Sequence, residues 1–195
     1  SLLGDQGGIR MQAKQSINDF VIKFANVNGT GSASANGMFA KAIFRMGIPV
    51  SPRNIFPSNI QGLPTWYEVR ISQDGYLGRR GGIDMMVSVN PQSFAKDVGE
   101  VEPGGYMLYD STKPLDLRHV RRDIHYLGIP LTEMCLREYT DSRQRQLFKN
   151  VIYVGALSAL LNIDFAILKD LVSEQFKGKE KLITPNIHAL EMGHQ

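Results

Sequence analysis

Two short segments hold the residue types from which a ligand site is most readily built. Asn28-Gly29-Thr30-Gly31-Ser32-Ala33-Ser34 follows an apolar run and opens a helical pattern, and Ser58-Asn59-Ile60-Gln61-Gly62 lies between Pro57 and Pro64. In the first, the glycines let backbone amides come close to a ligand, Ser32 and Ser34 add hydroxyls, and the following helix turns its positive N-terminus to the same point. In the second, the prolines stiffen the chain, Gly62 permits a backbone shape that other residues resist, and Ser58, Asn59 and Gln61 offer uncharged donors and acceptors. No acidic residue occurs between Asp19 and Glu68, whereas Lys23, Lys41, Arg45 and Arg53 fall inside that stretch. This layout suits an anionic, phosphate-bearing ligand. A tight turn without a ligand and a well hydrogen-bonded surface loop are the plainer alternatives.

The glycine turn departs from the full G-x-G-x-x-G of dinucleotide folds. Such folds also want an acidic residue at the end of the second strand to hold the ribose hydroxyls, and here that strand ends in Arg53-Asn54-Ile55-Phe56. An arginine suits a 2′-phosphate, so a stand-alone Rossmann-like module for a phosphorylated nucleotide such as NADP stays open. No catalytic residue and no metal-ligand set is expected elsewhere. His119 and His125 have no standard metal spacing and read as surface histidines. Arg118, Arg121 and Arg122 form a short basic cluster that fits a solvated face or an acidic partner. Arg79-Arg80-Gly81-Gly82 is assigned no role. Cys135, between Met134 and Leu136, reads as a small core residue.

The elements that must position these residues alternate between strand and helix. Phe20 to Phe24 is β-rich, and Phe39, Ala40, Ile43 and Phe44 then recur at helical spacing between Ala33 and Met46. Extended segments are expected over 49–56 and 66–71, at Met85-Met86-Val87-Ser88-Val89, at 106–110 after a Pro103-Gly104-Gly105 turn, and within 124–131. Asn90-Pro91 opens a short helix. From Ser142 to Leu161 apolar residues cover more than one helix face, which fits a core helix or one shared with a partner. Further helices follow over 164–176 and from Thr184-Pro185. The fold class is α/β and Rossmann-like, with a largely parallel sheet flanked by helices.

A chain of 195 residues has room for one such domain. Residues 1–15 show neither period and are expected to be a flexible leader, leaving 16–195 as the domain. The net charge of +3 is not gathered into long basic runs, which argues against nucleic acid. No run approaches the roughly 20 apolar residues a membrane helix requires. The single cysteine, Cys135, cannot form an intramolecular disulfide or supply the thiolates of an iron–sulfur cluster. A cytoplasmic setting is the expectation.

The Asn28-Gly29-Thr30-Gly31 turn, the Phe56 to Pro64 loop leading into Trp66-Tyr67-Glu68-Val69-Arg70-Ile71-Ser72, and Val101-Glu102-Pro103-Gly104-Gly105-Tyr106 together resemble the gamma domain of 2-oxoacid:ferredoxin (flavodoxin) oxidoreductases. The likeness extends through Asn150-Val151 and Gly155-Ala156-Leu157 to Asn186-Ile187-His188-Ala189-Leu190-Glu191-Met192-Gly193. It looks like the amino-terminal part of a fused alpha subunit of the 2-oxoglutarate branch, truncated before a thiamine-binding domain. The resemblance implies an enzyme converting a 2-oxoacid and coenzyme A to an acyl-coenzyme A and CO2, with electrons passing to ferredoxin or flavodoxin. Thiamine diphosphate, magnesium, iron–sulfur clusters and coenzyme A would belong to the assembled enzyme, none of them bound by this chain alone. The implied partners are the thiamine-binding domain and beta subunit, and a homodimer is possible. Asn28, Gly29, Thr30, Gly31, Ser32, Ser34, Ser58, Asn59, Gln61 and Gly62 would face substrate or cofactor, the isolated domain being inactive. Two features differ from the family: a sparser glycine turn than G-x-G-G-x-G, and no basic residue in Ile60-Gln61-Gly62-Leu63-Pro64.

Overall fold

The computed structural model describes residues 19–55, 60–72 and 82–195. Its centre is a six-stranded sheet of order β2-β3-β1-β4-β5-β6. The strands are β1 (Asp19–Val27), β2 (Val50–Ile55), β3 (Pro64–Ser72), β4 (Ile83–Ser88), β5 (Val101–Asp110) and β6 (His125–Ile129). The helices are α1 (Ser32–Arg45), α2 (Phe94–Glu100), α3 (Leu131–Glu138), α4 (Ser142–Leu160), α5 (Phe165–Gln175) and α6 (Ile183–His194). The pairings β1–β4, β4–β5 and β5–β6 are parallel, while β3 runs antiparallel to both β1 and β2. The largely parallel Rossmann-like sheet is thus present, with β3 alone reversed among the described strands. The reversal follows from chain length, because a parallel crossover needs a dozen or more residues and only eight separate Ile55 from Pro64.

Alternation along β1 divides the core. Phe20, Ile22 and Phe24 join the larger cluster with α1, α3, α4, α5 and α6, whereas Val21 and Ala25 join a smaller one with Trp66, Met86, Val98 and Met107. Expectation and structure differ at Pro103-Gly104-Gly105, which lies inside β5. Gly104 takes φ +84° and the β4–β5 register shifts between Ile83 and Met85, so the strand passes through a bulge instead of starting after a turn.

The apolar surround of α4 is resolved as a core position. Ile152, Val154 and Leu157 are fully buried, and α6 crosses α4 so closely that a Cβ on Gly155 or Gly193 would strike the backbone of the other helix at Leu190 and Ile152. Asp141 caps the start of α4 by accepting from the Gln144 N–H at 3.1 Å. The connection from β1 runs through α1 to the β2/β3 side of the sheet and that from β4 through α2 to the β5 side. The carboxyl ends of β1 and β4 therefore flank a topological switch point, where open α/β sheets characteristically place ligands.

Candidate functional site

The two segments singled out in the sequence meet at this switch point. The Asn28 N–H donates to the Leu63 carbonyl at 2.8 Å and the Gly62 N–H donates to the Asn28 carbonyl at 2.9 Å, carrying the β1–β3 ladder beyond Val27 and Pro64. The Asn28 Nδ2 amide adds a bond to the Ile60 carbonyl at 3.2 Å. Gly29, Gly31 and Gly62 have φ of +90°, +81° and +91°, a region that side-chain-bearing residues avoid. A Cβ on Gly29 would lie 2.6 Å from Gln61 Cγ, which puts the Gln61 side chain directly over the turn. The Thr30 hydroxyl donates to the Val27 carbonyl at 2.7 Å.

Beneath the turn lies a buried polar network. The Asn36 amide donates to Asn26 Oδ1 at 2.9 Å, the Asn26 amide reaches the Tyr153 hydroxyl at 3.3 Å, and that hydroxyl donates back to Asn36 Oδ1. Asn150 Nδ2 donates to the Thr30 carbonyl at 2.9 Å, and Asn90 Nδ2 to the Asn26 carbonyl at 3.3 Å. Asn26, Asn36, Asn90 and Asn150 are all at most 2% exposed. Burial pushes the Tyr153 hydroxyl far above its ordinary pKa, so it stays neutral and works as a hydrogen-bonding hinge between β1 and α1. Neutral amides suit this place, since each pairs in low dielectric without the penalty of a buried charge. Sequence reading missed the network because Asn150 and Tyr153 are far along the chain from Asn26 and Asn36 and meet them only after α4 packs.

Gly29, Gly31, Ser34, Gln61 and Gly62 are exposed, and Asn28 and Thr30 are partly so. Ser32 is 6% exposed and faces the protein interior. Ser58 and Asn59 lie outside the described residues, as do residues 1–15 and Arg79, Arg80 and Gly81. Three of the four cations that frame the turn in the sequence are paired elsewhere: Lys23 with Glu100 at 2.7 Å, Arg45 with Glu174 at 2.5 Å and Arg53 with Glu68 at 3.6 Å. Acids distant in the sequence therefore neutralise much of the positive field that the local stretch suggested. Arg53 sits on β2, separated from β1 by β3, which is not where a dinucleotide fold recognises a 2′-phosphate. At the turn, the positive element is the first turn of α1, which has no acidic residue and no side-chain cap.

Other residues take the plainer roles expected of them. Cys135 is 1% exposed, and burial pushes its thiol up to about 11, the state of an inert core residue. His119 and His125 are exposed. The Arg121 guanidinium donates to the Val98 and Val101 carbonyls and to Asp123, so part of the basic cluster is structural. Among the described residues there is no group of three or more His, Cys, Asp or Glu able to hold a metal ion. Nor is any described helix long and apolar enough to cross a membrane.

A six-stranded α/β sheet flanked by helices, with a glycine turn at its switch point, defines a Rossmann-like domain. Its sequence from residue 21 to 195 matches the pyruvate ferredoxin/flavodoxin oxidoreductase family model, and the chain belongs to that family. Subunit alpha of 2-oxoacid:ferredoxin oxidoreductase 2 from Aeropyrum pernix is 23% identical over 89% of this chain and 33% of its own length. The 2-oxoglutarate synthase subunit KorC of Archaeoglobus fulgidus is 24% identical over 89% of this chain and 88% of its own length. The 2-oxoglutarate:ferredoxin oxidoreductase of Magnetococcus marinus, solved with 2-oxoglutarate, coenzyme A and succinyl-CoA bound, superposes with a TM-score of 0.80 at 25% identity, over 91% of this chain and 30% of that one. Pyruvate oxidoreductase subunit PORC of Thermotoga maritima shares the fold, with a TM-score of 0.70 at 21% identity over 91% of this chain and 96% of that one. The chain thus spans about a third of the Aeropyrum and Magnetococcus proteins and nearly all of the two shorter subunits. The resemblance to a gamma-type domain is borne out.

Proposed function

We infer that the chain is a component of a thiamine-diphosphate-dependent 2-oxoacid:ferredoxin oxidoreductase, acting on a 2-oxoacid and coenzyme A and working with a thiamine-binding domain, a beta subunit and ferredoxin or flavodoxin in the cytoplasm. The 2-oxoglutarate substrates named for the Archaeoglobus and Magnetococcus relatives support the 2-oxoglutarate type. Thiamine diphosphate supplies the electron sink for decarboxylation when bound. The residues of this chain do not fit that group, because no Gly-Asp-Gly segment is present to hold a magnesium diphosphate. Nor do they fit an iron–sulfur cluster, because the one cysteine is buried and cannot supply the thiolates.

What this chain contributes is position. The observation that carries the reading is the lock between Asn28 and the 60–63 segment over a buried amide floor, which holds Gly29, Thr30, Gln61 and Gly62 as one preformed rim. Such a rim offers backbone N–H groups, a hydroxyl, an amide and a helix N-terminus to the polar parts of coenzyme A as it approaches the substrate. The coenzyme A bound in the Magnetococcus enzyme supports this assignment. Turnover of the assembled enzyme against coenzyme A concentration tests it. Gln61→Ala should raise the KM for coenzyme A several-fold with little change in the KM for the 2-oxoacid. Unchanged coenzyme A kinetics would remove the loop from the site.

A further inference from the structure

The carboxyl ends of β4 and β5 hold a second feature, a cleft of about 550 Å³ lined by none of the residues expected from the sequence. Lys149 on α4 faces this cleft, while its neighbour Asn150 holds the Thr30 carbonyl, so α4 stands between cleft and turn. Ser88 lies among the residues around the cleft and is 4% exposed, and its buried hydroxyl has no hydrogen-bond partner among the described residues. A buried hydroxyl without a partner is uncommon in native proteins and calls for one.

The charges around it are unevenly committed. Asp110 receives hydrogen bonds from the N–H and hydroxyl groups of both Thr112 and Thr132. Asp116 is held by the Arg118 guanidinium at 2.8 Å. The Lys149 ammonium stands 3.9 Å from Asp110, beyond hydrogen-bond distance, and Lys113 is exposed at the same cleft. Phe94 and Pro114 give it an apolar wall. Lysine ammonium groups bind phosphate as point charges. A volume of 550 Å³ falls within the roughly 300–1,000 Å³ of small-molecule sites.

The geometry points to a binding site for a phosphorylated small molecule of mononucleotide size, its phosphate beside Lys113 and Lys149, its body against Phe94 and Pro114, and its polar edge bonded by the Ser88 hydroxyl. The site is separate from the glycine-turn rim and does not depend on the role given to that rim.

Adenosine monophosphate and inorganic phosphate are the probes, titrated into the 195-residue chain by calorimetry and by amide chemical-shift mapping. The nucleotide should bind at least about tenfold more tightly than inorganic phosphate, since the apolar wall adds contacts that phosphate alone cannot make. Shifts should centre on Ser88, Asn90, Lys113 and Lys149. The Lys113→Ala/Lys149→Ala pair should weaken nucleotide binding at least about tenfold while the chain stays folded. Ser88→Ala should act in opposite directions on two readouts: removal of an unpaired buried hydroxyl raises Tm by about 2–4 °C, while nucleotide affinity falls about fivefold or more. Shifts centred on Gly29 to Gln61, nucleotide affinity unchanged in the lysine pair, or a lowered Tm in Ser88→Ala would each overturn the site.

Discussion

Two groups of buried polar atoms lie on either side of α4, and they are built differently. Beneath the glycine turn, Asn26, Asn36, Asn150 and Tyr153 pair with one another and with the Thr30 carbonyl. Beside the cleft, the Ser88 hydroxyl is buried without a partner. A satisfied network fixes the backbone above it and asks nothing of a ligand, whereas an unsatisfied hydroxyl gains by meeting one. Depth of burial alone does not separate these roles, for Ser88 and Asn150 are 4% and 2% exposed. The state of the hydrogen bonds does.

The largest expected effects come from the floor of the turn. Tyr153→Ala removes a fully buried ring stacked on Phe24 with centroids 5.7 Å apart, and should cost about 3–5 kcal/mol in chemical denaturation. Tyr153→Phe keeps the ring but strands the Asn36 carbonyl oxygen and leaves the Asn26 amide only its 3.5 Å bond to Asn150, and should cost about 1–3 kcal/mol. The sharper readout for Tyr153→Phe is amide exchange, which should quicken at Gly29 to Ser32 ahead of the rest of α1. Uniform loss of protection would make the network a general core element and erase the contrast with Ser88.

Smaller effects are expected at the rim. Gly29→Ala forces a Cβ onto a backbone at φ +90° and into contact with Gln61, and should cost about 1–2 kcal/mol for the backbone alone. Adding Gln61→Ala should recover the steric share and leave the backbone share, giving a coupling of about 0.5 kcal/mol or more in a double-mutant cycle. Strict additivity would mean that turn and loop do not form one unit.

Much of this architecture was legible in the sequence because it depends on local signals. The apolar runs at Phe20 to Phe24 and Met85 to Val89, the helix spacing of Phe39 and Ile43, and the positive-φ glycines each mark their own element. The reversed direction of β3 was legible in principle, through the shortness of its connection to β2. Pairing of distant residues was not. Nothing near Arg45 or Lys23 in the chain announces Glu174 or Glu100, so the positive field read from the acid-free stretch was overstated. The Asn network and the cleft share this cause, both being assembled from residues on several elements.

The smallest effect concerns the Asp110 carboxylate at the cleft. Burial alone would raise the pKa of Asp110, but hydrogen bonds from Thr132 and Thr112 outweigh it and hold the carboxyl below its ordinary value. A carboxylate with a lowered native pKa stabilises the fold above its unfolded value, near 3.8, and that contribution is lost as pH falls through the lower native value. Asp110→Asn keeps an acceptor for α3 but cannot titrate. The Tm difference between the parent chain and Asp110→Asn should therefore be constant near neutrality and narrow as pH drops below about 4. A difference that persists unchanged into acid would mean that Asp110 acts only through its shape and hydrogen bonds. The charge facing Lys149 would then have no part in tying the cleft wall to α4.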